Sequence, residues 1–305
     1  MREHLAVGLI VASILLGGLT QWYSSDDGEI EGVSGLIERR SGAVASRDDD
    51  WKTHSKGHAE ELGFIESGRC NIPRVPLSSL DGPSFASTFL GAPVIITVPG
   101  ASQRNAALTS FLSKRQLLQE YANASVILSS ANAHSHDKQR VRFVDYVARL
   151  MGPWTLEHVA ADTFYLFGDN EWSRAEWSRM QQLYEPVPLY SAAERQSLSF
   201  GMGGSGSGVP FHTHGPVFAE LFYGRKRWFL YPPNGTGMPP FDPDESSLRW
   251  LHFTYPTLFG QEASARGWHP PIECTCNPGE IIWIPDRWYH STLNIGETIF
   301  ISAFV

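Results

Sequence analysis

With 305 residues, 42% of them hydrophobic and 12% aromatic, the chain has material for a large packed core, which excludes a disordered protein. A formal net charge of −8 and no long basic run exclude charge-driven nucleic-acid binding; the one local basic cluster, Arg225, Lys226 and Arg227, reads as a turn. The 20 prolines and 28 glycines favour short strands and turns over long helices.

At the start of the chain, Arg2 precedes an almost wholly apolar run from Leu5 to Leu19, with small residues around its end. This pattern predicts a secretory signal peptide over residues 1–22, because about 15 apolar residues fall short of the ~20 needed for a comfortable membrane span. An uncleaved signal-anchor is the alternative and would be the chain's attachment to a membrane. Either reading places the remainder in the endoplasmic reticulum lumen or elsewhere in the secretory pathway. Residues 23–65 are rich in Ser, Gly, Asp, Glu and Arg with poor apolar periodicity, and read as a flexible linker with a short helix.

An α/β segment packing on a barrel is expected over 66–160. Within it, "DGPSFASTFL" predicts a helix capped by Asp81 or Ser84, and "APVIITV" a buried strand. "SKRQLLQEYA" predicts a helix with Ser113 at its cap, "ASVILSSA" a strand, and "VRFVDYVARLM" a third helix. Residues 161–305 read as the barrel. "TFYLFGDN" opens it, and "QSLSFGMGG", "PVFAELFYG", "KRWFLYPP", "IECTCNPGE", "EIIWIPD", "WYHSTLN" and "TIFISAFV" follow as separate strands. "DPDESSLRWLHFTYP" interrupts them as a helical insert. Short strands with frequent turn signals predict a mainly β fold, a sandwich or jelly roll, with Trp228, Trp283, Trp288 and Tyr289 in its core.

A secretory route permits disulfides. The expected bridge is Cys70–Cys274, leaving Cys276 free; three buried thiols are the alternative. Asn123-Ala124-Ser125 and Asn234-Gly235-Thr236 are candidate glycosylation acceptors.

The candidate chemistry centres on "GVPFHTHGP". In an extended segment His212 and His214 point to one face, which suits a metal, and His290 in "PDRWYHSTLN" is the best third ligand. "HSHDK" at 134–138 offers a second His/His/Asp group that reads as a surface loop. The run "MGGSGSG" lacks the Lys-Ser/Thr of a phosphate-binding loop and reads as a place of close backbone approach or a mobile lip.

The stretches "GSGVPFHTHGPVFAELFYGRKRWFLYPP" and "PGEIIWIPDRWYHSTLNIGETIFISAF" resemble a JmjC domain of the cupin superfamily, with "CNIPRV", "APVIITV" and "FYLFGDN" fitting ahead of them. The resemblance covers roughly Cys70 to Val305. It implies a double-stranded β-helix, a jelly roll with helices packed outside. It also implies a metal site that in the family holds Fe(II) through two histidines and a carboxylate, beside 2-oxoglutarate.

Here His212 and His290 match the two histidines, while His214 stands where the family usually has Asp or Glu. A three-histidine site carries one more net positive charge and accepts Zn as readily as Fe(II). Glu220 reads either as a substitute carboxylate or as a structural acid. Lys226 matches the lysine that pairs with the far carboxylate of 2-oxoglutarate, with a solvated turn as the alternative. Val209 stands where the family often has a Thr or Ser hydroxyl for the same ligand. Asn294 reads as a hydrogen bonder behind the site or as a turn residue.

Two functions follow: a metal-binding regulatory or interaction protein of the secretory pathway, or an Fe(II)/2-oxoglutarate-dependent protein hydroxylase. Both expect a protein partner or substrate.

Overall fold

The computed structural model describes residues 50–52, 68–98, 104–168, 177–189 and 197–305. The signal segment expected over 1–22, and all of the linker over 23–65 except 50–52, lie outside the described residues. No helix among the described residues is long and apolar enough to cross a membrane.

Among the described residues ten strands join in one sheet: β1 (Arg74–Pro76), β2 (Val94–Thr97), β3 (Ser125–Ser130), β4 (Lys138–Arg142), β5 (Phe164–Leu166), β6 (Ser197–Gly203), β7 (Val217–Tyr231), β8 (Ile272–Cys276), β9 (Glu280–Ile284) and β10 (Tyr289–Phe304). The order is β1-β2-β9-β7-β10-β6-β5-β3-β4, with β8 also paired to β7. Because β2 pairs with β9 and β3 with β5, the sheet runs across the 160/161 boundary expected from the sequence pattern. The earlier segment supplies strands to the sheet as well as helices.

β7 and β10 form the spine. They run antiparallel from Tyr289 opposite Tyr231 to Phe304 opposite Val217. Four short strands were expected where these two long ones stand. Gly224, at φ +68°, explains the difference. It bends β7 without ending it, and a Cβ there would lie 2.6 Å from Glu297 O. The register shifts opposite it, between Ile295 and Ile299, as a bulge that curves both strands.

The expected basic turn is likewise not a turn. Arg225, Lys226 and Arg227 sit inside β7, where Lys226 and Arg227 point to opposite faces and are both buried. Arg227 Nη2 lies 2.6 Å from Glu273 Oε2 on β8, and the Tyr255 hydroxyl donates to the other oxygen at 2.6 Å. Such a buried pair needs this full set of partners, since each ion alone would be costly.

The helix Gly82–Phe89 uses both expected caps reciprocally: the Asp81 carboxylate accepts from Ser84 N and Ser84 Oγ accepts from Asp81 N. Phe85 on this helix packs against Phe218 and edge-on against Trp283, and Trp283 Nε1 donates to Phe89 O. The helix expected over "VRFVDYVARLM" is split. Val141 and Arg142 pair with β3, and a short turn and a π-helix, Tyr146–Leu150, follow.

The insert after β7 forms the helix Ser247–Phe253 and a 3-10 turn, Tyr255–Phe259. Its Trp250 stacks edge-on against Phe211, so the residue next to His212 is anchored in a hydrophobic cluster. Cys70 and Cys274 are bonded, which ties the chain ahead of β1 to β8; Cys276 is free and buried.

Candidate metal centre

His212 and His290 are cross-strand neighbours. His212 N donates to His290 O at 3.1 Å, and His290 N returns a bond to His212 O at 3.0 Å. The glycine-rich run makes this approach possible: a Cβ on Gly208 would sit 1.8 Å from Thr292 O, so only glycine lets this stretch lie against β10. Of the two sequence readings of that run, close backbone approach is the one the packing requires. Arg287 N donates to His214 O at 3.0 Å and holds the far side of the segment.

The three rings converge, with centroids 4.2 Å apart for His212 and His290, 4.5 Å for His214 and His290, and 5.5 Å for His212 and His214. Each Nδ1 lies against a backbone carbonyl: Pro210 O at 2.8 Å for His212, Gly215 O at 2.7 Å for His214 and Trp288 O at 2.9 Å for His290. A carbonyl only accepts, so each Nδ1 carries the proton and each Nε2 a lone pair. His214 Nε2 and His290 Nε2 stand 3.0 Å apart. Two lone pairs at that distance repel unless a cation lies between them. The spacing matches two nitrogens at roughly 2.1 Å from one ion and at about right angles. The donor set therefore fits a divalent metal.

Charge points the same way. Burial, and then the neighbouring His214, push the His212 pKa down to about 3. Burial and then His212 and His214 hold His290 well below its ordinary value, and burial lowers His214. At neutral pH all three are neutral imidazoles, the form that binds metal.

One cavity holds the three histidines together with Lys226, Asn294 and Thr292. Lys226 is buried; its Nζ donates to Asn294 Oδ1 at 2.9 Å and lies 4.2 Å from the centre of the Phe300 ring. Asn294 Nδ2 donates onward to Ser207 Oγ at 2.9 Å. Asn294 is thus no turn residue: it lies within β10 and acts as a hydrogen bonder behind the site, holding the lysine. Lys226 is no solvated turn residue either.

Glu220 does not serve as a substitute carboxylate. It lies on the face of β7 opposite Val217 and Leu221, both its oxygens are 2.7 Å from Arg104 Nη1, and Asn105 Nδ2 adds a third bond at 3.0 Å. Among the described residues, His212, His214 and His290 form the one group of three or more ligand-type side chains close enough to share an ion, so "HSHDK" makes no such cluster. The carbonyls of Pro210, Gly215 and Trp288, which set the tautomers, leave no signature in a sequence.

Burial pushes the Lys226 pKa down to about 7, from an ordinary value of 10.5. Above pH 7 the unfolded chain therefore binds the extra proton, and stability rises with pH. The buried Cys276 thiol, raised from 9.0, opposes this only above its ordinary range. The histidines act on the acid side, removing stability as pH falls below 6.5. Urea titrations of the metal-free protein should show the midpoint climbing from pH 7 to about 8.5, with a flatter profile in Lys226→Met.

A family model for the Cupin-like domain matches residues 92–302. The chain belongs to the cupin-like JmjC family. It is 40% identical over 261 residues to JmjC domain-containing protein 8 of Rattus norvegicus, covering 86% of this chain and 91% of that protein. The Homo sapiens protein of the same name is 38% identical over 265 residues, covering 87% and 92%. The 2-oxoglutarate and iron-dependent oxygenase JMJD4 of Gallus gallus is 26% identical over 218 residues, covering 61% of this chain and 47% of that protein. The mainly β architecture is that of the JmjC jelly roll, and the family includes iron- and 2-oxoglutarate-dependent oxygenases.

Proposed function

We propose that this JmjC-fold chain binds one divalent metal, Fe(II) or Zn, through His212, His214 and His290. We further propose that it acts as a regulatory or interaction protein toward a protein partner in the endoplasmic reticulum lumen or secretory pathway. The convergence of three Nε2 lone pairs, each with its Nδ1–H fixed on a carbonyl, carries the metal reading.

Among the described residues no carboxylate joins the three histidines, which weighs against ordinary oxygenase chemistry. A hard anionic oxygen is replaced by a neutral nitrogen, and Glu220 is committed to Arg104. The bond between Cys70 and Cys274 supports an oxidising compartment. The exposed Asn123 and Asn234 are acceptors for glycans on that route, and membrane contact would come only through an uncleaved N-terminal signal-anchor. Nucleic acid is no partner of so acidic a chain.

A second reading, an Fe(II)/2-oxoglutarate-dependent protein hydroxylase, is favoured by Lys226, a buried cation that shares the histidines' cavity. Elemental analysis of the purified chain, combined with a 2-oxoglutarate turnover assay, separates the two. One bound metal without succinate release supports the regulatory reading. Stoichiometric iron with succinate release supports the hydroxylase.

A further inference from the structure

We infer that the free edge of β4 docks an acidic, extended segment of a partner protein as an added strand. The inference rests on the interaction reading above for the existence of a protein partner, and on neither metal nor turnover.

Among the described residues the sheet ends at β1, β8 and β4, and two of these edges are closed. β1 is three residues long and finishes at Pro76, which has no N–H to offer. The outer side of β8 is taken: Asn71 N donates to Glu273 O at 3.0 Å, and Glu273 N donates to Asn71 Oδ1 at 2.7 Å. β4 pairs with β3 alone among the described residues. Two bonds fix which of its backbone groups face outward. Ser130 N donates to Asp137 O and Phe143 N to Ala124 O, each at 2.9 Å, so Asp137, Gln139, Val141 and Phe143 turn toward β3. The N–H groups of Lys138, Arg140 and Arg142 therefore point away from the sheet.

The same three residues carry the charge. Alternation puts their side chains on one face, beside Ser129, Ile127 and Ser125 of β3, and all three residues are exposed. Arg140 leans on a neutral hydroxyl, Ser125 Oγ, at 3.3 Å, and Arg142 stays exposed while pairing with Asp145 at 2.7 Å. On the other face Val141 packs against the hydrophobic cluster that holds Val126 and Leu128. In a chain of net charge −8 this basic stripe is a local exception.

A strand added here would set every second side chain beside a cation and the others beside Gln139 and Val141. The segment that fits alternates acidic and apolar residues. A second copy of β4 fits badly, because edge-to-edge pairing would bring like charges together. Cations guard an edge against such self-pairing, and that guard does not act against an acidic strand.

The test uses the full chain purified with its disulfide intact and a short capped peptide alternating Glu and Val. Binding is read by fluorescence anisotropy, and docking by amide hydrogen exchange over residues 138–142. Wild type should bind the peptide, and exchange there should slow on binding. A peptide with the same residues in two blocks, and one alternating Lys and Val, should bind roughly tenfold or more weakly. Arg140→Glu should reverse the preference toward the Lys peptide. Arg140→Pro removes an outward N–H and no bond to β3, so it should weaken binding more than Arg140→Ala does. If Arg140→Pro does not fold, by circular dichroism, the charge reversal and the exchange still decide.

Binding without slowed exchange, or a block peptide held as tightly as the alternating one, would reduce the edge to a charged patch and overturn the assignment. No peptide binding in wild type would overturn it too, as would self-association that Arg140→Pro or Arg140→Glu abolishes. Succinate release with stoichiometric iron would contradict the interaction reading and leave a peptide docked on β4 standing, whereas a peptide that fails to bind leaves that reading as it was.

Discussion

Exchange of His290 for alanine should reduce bound metal from one ion per chain to none at micromolar metal, with affinity falling by more than 100-fold. Loss of a group that only orients a ligand costs about 10–100-fold, and His290 is a ligand itself, its Nε2 3.0 Å from that of His214. His212 and His214 would remain on one extended segment, with no imidazole from the opposing strand to close the site. The variant should still fold. The two bonds joining residues 212 and 290 are between backbone groups, and the imidazole removed is neutral and ends in an unshared lone pair. Elemental analysis beside circular dichroism separates the two effects: native-like spectra with no metal are expected. Metal content equal to wild type would exclude His290 as a ligand.

Removal of the bridge between Cys70 and Cys274 should have the largest effect on stability. The residues are 204 apart in sequence. Closing a loop of that length restricts the unfolded chain enough to be worth about 5 kcal/mol in the chain-entropy account, and removal of native disulfides typically costs 2–5 kcal/mol. The bridge also anchors partners of the buried ion pair beside it. Arg69 O accepts from Arg227 Nη2 at 2.8 Å, and Asn71 Oδ1 accepts from Glu273 N at 2.7 Å. Cys70→Ser should lower the urea midpoint strongly. Cys276→Ser removes a thiol whose burial holds its pKa up, and should leave the non-reduced mass map intact. Equal midpoints for Cys70→Ser and wild type would contradict a structural role for the bridge.

These two results depend on features the sequence exposed to different degrees. The spacing of His212 and His214 was legible because an extended chain alternates its side chains, so two histidines at i and i+2 must share a face. His290 was legible through the motif around it, and the two caps of the first helix through their local chemistry. The lengths of β7 and β10 were not. Gly224 reads as a turn, and only the long-range pairing with β10 reveals a bend within one strand. Three successive basic residues read as exposed for the same reason: the acid that buries Arg227 is 46 residues away. Glu220 looked available because the arginine that claims it lies 116 residues earlier.

The most direct test of the three-histidine centre is the metal content and ligand set of the natively purified chain, read by elemental analysis and X-ray absorption on one sample. One divalent ion per chain, with nitrogen neighbours at about 2.0–2.1 Å and a signal from three imidazoles, is the expected result. A chain that carries no metal and takes up neither Fe(II) nor Zn(II) when offered them, or one whose ion is held by sulfur, would contradict it.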